Sequence, residues 1–163
     1  MNSGMNWNAA AFFELLTKTN KLAAQHGFVF ARVSSLEGFE EIISRALSVK
    51  AYVAVSDTSQ GSISLANSPH TRRVKTVFLF MRHTQGDMVA RERCLASMRE
   101  LFRQFMSALI LEKNRLAEGC IYINDNITFT EIDRYFFTGG ACAYFQLAID
   151  TYVNLQYDAA EWE

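Results

Sequence analysis

Residues 144–157, with the sequence YFQLAIDTYVNLQY, alternate between two kinds of side chain. One set is apolar or favours strands: Phe145, Leu147, Ile149, Thr151, Val153, Leu155 and Tyr157. The other set is smaller, more polar or aromatic, and it begins at Gln146. Successive side chains of a strand point to opposite faces of a sheet. The alternation therefore predicts a long strand with one face in the core and one wetter face.

A long helix is predicted between Asp87 and Gly119. Residues 88–116 contain no glycine or proline, and Asp87 is a suitable N-cap. Apolar side chains recur every three or four residues: Leu95, Met98, Leu101, Phe102, Phe105, Met106, Leu109 and Ile110. Such a helix would be about 45 Å long at 1.5 Å per residue, which matches the predicted strand. We therefore expect the helix and the strand to pack against each other.

Shorter elements fill the rest of the chain. The sequence predicts helices over 8–27 and 35–48, the second with Ser35 as its N-cap. It predicts strands over 28–33, 51–55, 74–83, 120–123 and 127–132, and a hairpin turn at Gly139-Gly140. A polar loop is predicted over 56–71, in which Ile63 and Leu65 could anchor a brief strand. We expect an α+β fold, with a mostly antiparallel β-sheet packed against a long amphipathic helix and additional N-terminal helices. The length suits a single domain over 1–163, with a flexible start at 1–7.

Composition narrows the class of protein. The chain has 163 residues, of which 50% are hydrophobic, and its formal net charge is −1. A nearly neutral protein is not drawn as a whole to nucleic acid or to an anionic membrane. The three cysteines favour a reducing compartment, and no apolar run approaches the length of a membrane span. We expect a soluble, cytoplasmic protein without membrane contact.

No motif predicts catalysis, a metal site or a cofactor. His26, His70 and His83 are isolated, and no pair of cysteines has the spacing of metal ligands. Cys142 follows Gly139-Gly140 as a nucleophile could follow an oxyanion-binding turn, but the sequence places no histidine beside it. A small buried residue at the start of a strand is the preferred interpretation.

Two groups of residues are candidates for contact with other molecules. The wetter face of the final strand is a candidate interface because it is aromatic and amide-rich and lacks lysine. Its residues are Tyr144, Gln146, Asp150, Tyr152, Asn154 and Gln156. A possible basic contact face consists of Arg72, Arg73, Lys75 and Arg82.

The order of elements resembles a known family. An apolar strand over 75–83 enters a helix led by Asp87, short strands follow, and the long alternating strand ends in YDAAEW at 157–162. This order resembles the small α+β proteins of phage tail assembly, particularly tail terminators and tail-completion or neck proteins. The resemblance implies a homo-oligomeric ring, commonly hexameric, at the head-proximal end of a tail tube. Its neighbours would be tube and neck proteins, and DNA would pass through the ring. The resemblance also implies a location in the cytoplasm of a host cell or in a virion.

Two other functions stay open on the sequence. One is a small-molecule-binding or enzymatic α+β domain with a pocket between the 88–116 helix and the sheet, where Cys142, a histidine and a carboxylate would converge. The other is a nucleic-acid-binding module that uses the basic residues of 72–103.

Overall fold

A computed structural model describes residues 7–132 and 139–162. The helices are α1 (Ala9–Thr19), α2 (Lys21–Gln25), α3 (Leu36–Arg45) and α4 (Met88–Ala117), with a short 3-10 helix at Ala159–Trp162. The strands are β1 (Phe28–Val33), β2 (Ala51–Ser56), β3 (Gln60–Ser64), β4 (His70–Arg82), β5 (Ile121–Ile123), β6 (Phe129–Glu131) and β7 (Gly140–Tyr152). Apart from Trp7, the predicted flexible start lies outside the described residues.

One sheet joins strands from both halves of the chain. Its order is β1-β2-β4-β7-β5, with β3 also paired to β4 and β6 also paired to β7. Of the strands in the described part of the chain, only β1 and β2 run parallel, and α3 supplies the crossover that such a pair requires. The two longest strands, β4 and β7, pair along their whole length from His70–Tyr152 to Arg82–Gly140. The structure confirms the predicted α+β fold and the mostly antiparallel sheet.

The covered face of the sheet, on which α1, α2 and α4 pack, holds the larger core. The odd-numbered side chains of β4 and β7 point to this side, and Phe145 is completely buried there. The Phe13 ring of α1 lies 5.6 Å from the Phe145 ring and 5.9 Å from the Phe105 ring of α4. The predicted stripe of α4 therefore packs on the sheet, except that Ile110 is 58% exposed.

Among the described helices, only α3 packs on the opposite side of the sheet, which we call the half-covered face. Phe39 of α3 is fully buried, and its ring stacks at 5.3 Å on Phe78 of β4. Tyr52 and Phe80 complete the aromatic cluster beneath the helix. Ser35 begins α3 by accepting a hydrogen bond from the amide of Gly38 at 3.1 Å, as its sequence predicts.

The final strand is shifted toward the N-terminus relative to its prediction. It begins at Gly140 and ends at Tyr152, and the last backbone bond is from Val153 N to Pro69 O at 3.1 Å. Pro69 has no N–H with which to continue the ladder. The predicted core positions beyond this point are wrong, since Leu155 is 44% exposed and Tyr157 is 73% exposed.

Two other boundaries differ from the sequence prediction. The predicted helix over 8–27 is divided at Asn20, whose side chain accepts from Ala23 N at 2.8 Å and so begins α2. Within the predicted loop over 56–71, the brief strand expected at Ile63 and Leu65 is β3, a polar strand that pairs with residues 70–74. It includes Ile63 but ends at Ser64, and Leu65 is 81% exposed. Pairing with a neighbouring strand stabilises β3, which has no apolar alternation of its own.

Candidate functional site

The part of the half-covered face that α3 leaves uncovered is the candidate site. We call it the open surface, and it is built by β4, β5, β6 and β7. Even-numbered residues face it in register, with Thr76 opposite Gln146 and Arg72 opposite Asp150. The open surface consists of Arg72, Val74, Thr76, Tyr122, Thr130, Tyr144, Gln146, Ala148, Asp150 and Tyr152.

Four of the six predicted interface residues lie together on this surface. They are Tyr144, Gln146, Asp150 and Tyr152 of β7. Asn154 and Gln156 are also exposed, but they follow the end of the strand, where the amide of Gln156 donates to Asn154 Oδ1 at 2.9 Å. The register of the sheet therefore does not place these last two residues with the others.

The strand that carries the surface is central, because β4 pairs with one side of β7 and both β5 and β6 pair with the other. The open surface therefore presents side chains, whereas an edge strand would present unpaired backbone groups. Tyr122 of β5 was not singled out from the sequence. The alternation of buried Ile121 and Ile123 around it is the signal that could have revealed it.

A bidentate ion pair crosses the open surface between β4 and β7. Arg72 Nε donates to Asp150 Oδ1 at 2.8 Å, and its Nη2 donates to Oδ2 at 2.9 Å. These bonds lower the pKa of Asp150 and raise that of Arg72. Planar bidentate pairing fixes both side chains in orientation. A partner would meet a positioned charge pair here.

A polar cavity of about 360 Å³ opens on the same surface, where β5 ends and β6 has not yet begun. Asn124 occupies the gap and forms two hydrogen bonds with the β7 backbone. Its backbone N–H donates to Ala148 O at 3.1 Å, and its side-chain Oδ1 accepts from Ala148 N at 2.8 Å. Gln146 Nε2 donates to Thr76 Oγ1 at 3.2 Å nearby. Amides and hydroxyls therefore line a recess that suits a neutral polar side chain.

Ion pairs from α4 hold the segment that frames this cavity. Arg99 forms two contacts with the Glu131 carboxylate of β6, and Lys113 pairs with Asp125 in the β5–β6 connection. Arg91 donates to the Ile132 carbonyl at 2.9 Å. The polar side of the long helix thus positions the short strands, and Arg91 and Arg99 are engaged within the chain.

The four residues of the predicted basic contact face are separated in the structure. Arg72 lies on the open surface, whereas Arg73 and Lys75 point to the covered side of β4. Arg82 lies near the other end of β4, where it donates to Val49 O at 3.0 Å and to Ile43 O at 2.9 Å. These positions do not form one contiguous face, because neighbouring residues of a strand point in opposite directions.

Cys142 packs in the cluster under α3, on the face of the sheet opposite to α4, and so it does not line the predicted pocket between the 88–116 helix and the sheet. Cys142 is 1% exposed, burial raises the pKa of its thiol, and its sulfur contacts the carbonyl of Ala143. The three histidines lie beyond α2, at the start of β4 and after β4, with no described hydrogen bond to Cys142. Within residues 7–132 and 139–162, no group of three or more His, Cys, Asp or Glu side chains could hold a metal ion.

Comparisons with known proteins assign no family. No protein-family model matches this chain, and a search of curated proteins finds no similar sequence. None of the helices in the described ranges combines the length and the hydropathy that crossing a bilayer requires. Geometry and surface chemistry therefore carry the functional proposal.

Proposed function

We propose that this chain is a structural subunit that acts by self-association through its open surface, as a tail-associated protein of a phage or prophage. The observation that carries the proposal is the part of the sheet around β7 that no described helix covers. Tyr122 and Tyr152 each expose 51% of their surface there. Exposed aromatic side chains are enriched at interfaces because they bury a large area at a low cost in conformational entropy.

The chemistry of the open surface suits a second copy of the chain. Its aromatic rings supply apolar area, and Gln146, Thr76 and the Arg72–Asp150 pair supply polar contacts. The net charge of −1 leaves little repulsion between copies. Since β7 is paired on both sides, contact would occur through side chains and not through addition of a strand.

A ring follows when such a contact is heterologous and its rotation closes. The resemblance to tail terminators and tail-completion proteins implies this arrangement, with tail tube and neck proteins as neighbours and DNA passing through the centre. A gene neighbourhood that contains capsid, portal or tube genes would support this placement, and a neighbourhood of metabolic genes would oppose it.

Light scattering coupled to size-exclusion chromatography tests the self-association. We expect an oligomer of the native chain at high concentration, and we expect Tyr152→Lys to shift it toward the monomer. A buried lysine charge without a partner opposes association. The circular dichroism spectrum should stay unchanged, because Tyr152 is the exposed last residue of β7.

Leu15→Lys is the matched control, since Leu15 is an exposed apolar residue of α1 across the sheet. The oligomer should survive this substitution. A native chain that stays monomeric at every concentration would refute the proposal. An oligomer that resists Tyr152→Lys but is lost in Leu15→Lys would move the contact to the helical side.

A further inference from the structure

A second cavity, of about 320 Å³, lies at the start of α1, next to the ends of β2 and β4. Three cationic side chains line it, Arg32 of β1 and Arg73 and Lys75 of β4, against one carboxylate, that of Asp57. We propose that this cavity binds a small phosphate-bearing anion, either inorganic phosphate or a phosphate monoester. This inference is independent of the proposed self-association, because Arg73 and Lys75 point away from the open surface.

The positive charge of the cavity is only partly compensated. Arg32 Nε lies 3.8 Å from Asp57 Oδ1, which is a long contact between partly exposed groups. Arg73 forms no ion pair with any described residue. One carboxylate therefore faces three cations, and an anion with two charges would complete the balance.

Lys75 is held in place at the cavity. Its Nζ donates to the carbonyl of Ser56 at 3.2 Å and to that of Asp57 at 3.0 Å. Burial lowers the pKa of Lys75, Asp57 opposes the change, and the neighbouring Arg73 and Arg32 lower it further. A bound anion would stabilise the charged ammonium against these effects.

The first turn of α1 adds donors to the same cavity. Asn8 Oδ1 caps the amide of Ala11 at 3.0 Å, and the amides of Ala9 and Ala10 bond to no described residue. The first turn contains no acidic side chain. The first amides of a helix carry partial positive charge and have no acceptor within the helix. Here they supplement the three cationic side chains.

The lining also indicates the size and class of the ligand. Pockets for small ligands typically begin at about 300 Å³, so the cavity suits a phosphate group with a small organic part and not a folded macromolecule. Arginine forks match the geometry of phosphate oxygens. Trp7 lines the cavity while its indole N–H donates to Glu112 Oε1 at 3.2 Å. The position of this ring makes it a reporter of binding.

Titration of the full chain with inorganic phosphate tests the proposal. Trp7 fluorescence would be followed in a Trp162→Phe background, which leaves Trp7 as the single tryptophan. We expect a saturable change in Trp7 emission that sodium chloride at equal ionic strength does not reproduce. A change that is not saturable, or an equal response to chloride, would overturn the proposal.

Neighbouring arginines provide the matched variants. Arg73→Gln should weaken phosphate binding by about tenfold, since it removes a charge-assisted hydrogen bond. Arg72→Gln removes the same charge from the opposite side of β4 and should leave phosphate binding within about twofold of the native value, because screened charges at a distance contribute little. Equal weakening by both variants would indicate general attraction of anions and would overturn the assignment.

Two further measurements sharpen the test. Asp57→Asn removes the one carboxylate in the lining, so we expect it to tighten phosphate binding; a loss of affinity in a folded variant would oppose the proposal. A single-stranded oligonucleotide should bind no more tightly than a phosphate monoester. Binding of the oligonucleotide without binding of inorganic phosphate would show that the ligand is a nucleic acid and not a small anion.

Discussion

The covered and half-covered faces of the sheet differ in the length of helix that packs on them. The covered face lies under α1, α2 and the thirty-residue α4, whereas the ten-residue α3 is the only helix within 7–132 and 139–162 that packs on the half-covered face. At 1.5 Å per residue, α4 spans about 45 Å and α3 about 15 Å. A thirteen-residue strand such as β7 spans about 43 Å. The long helix can follow the whole strand, and α3 can follow about a third of it.

This difference separates the two roles that one strand has in the molecule. Phe145 and Leu147 are fully buried on the covered face, and Gln146 between them is exposed on the other. Stability is concentrated on one side of β7 and the proposed contacts on its opposite side. Substitutions of adjacent residues should therefore have separable effects.

The largest expected effect is that of Phe145→Ala. The Phe145 ring lies 5.0 Å from Phe102 and 5.6 Å from Phe13, and its removal leaves a cavity in the main core. We expect the free energy of unfolding to fall by about 3–5 kcal/mol, as measured by urea denaturation. Tyr144→Ala, one residue earlier and half-buried, should cost about 1–2 kcal/mol. Equal losses would show that the two faces contribute alike to stability.

A smaller effect is expected where β7 begins, at Gly140. A Cβ at this position would lie 2.2 Å from Phe80 Cε2 and 2.9 Å from Met81 O, so Gly140→Ala forces the buried Phe80 ring to move. We expect a loss of about 1–3 kcal/mol in the free energy of unfolding. Gly61→Ala in β3 is the control, because its Cβ would meet Arg72 O at an ordinary 3.5 Å. A thermal melt that ranks the two variants in the reverse order would contradict the close approach.

The smallest effect concerns the pH dependence of the Arg72–Asp150 pair on the open surface. The hydrogen bond from Arg72 holds the pKa of Asp150 below its usual value, although burial partly opposes this. The pair therefore stabilises the fold above about pH 4, the unfolded value for an aspartate, and its contribution is lost as the pH falls through the lower folded pKa.

Urea denaturation at a series of pH values compares the native chain with Asp150→Asn. The difference in unfolding free energy should shrink between about pH 7 and about pH 3. Arg72→Gln should show the same dependence, because either substitution removes the same pair. A difference that stays constant over this range would mean that the pair does not contribute to stability.

The predicted elements succeeded where local chemistry is sufficient. The caps Ser35 and Asp87 each accept the expected hydrogen bond, and the apolar stripe of α4 packs on the sheet. The prediction failed where the extent of a strand depends on the strand with which it pairs. Leu155 continues the alternation of β7 in sequence, but β4 begins at His70 opposite Tyr152 and so does not extend to Leu155. The polar β3 exists because β4 extends beyond the core to pair with it.

The candidate site was also only partly predictable, because some of its features depend on one strand and others on the pairing of strands. Alternation places Tyr144, Gln146, Asp150 and Tyr152 on one side of a strand, and this holds in the structure. It cannot show that Arg72 is the partner of Asp150, seventy-eight residues away, nor that Asn124 fills the gap between β5 and β6. Both relations depend on strand order and register, which are properties of the folded sheet.

The sequence by itself determined the α+β class, the long amphipathic helix and which side of β7 is buried, because these depend on periodicity within a single element. The tertiary structure decided where β7 ends, that it lies in the centre of the sheet, and that Arg32, Arg73 and Lys75 meet beside α1. The physical reason is that each of these features involves residues that are distant in the chain. Strand pairing and the packing of helices on the sheet bring such residues together only in the folded protein.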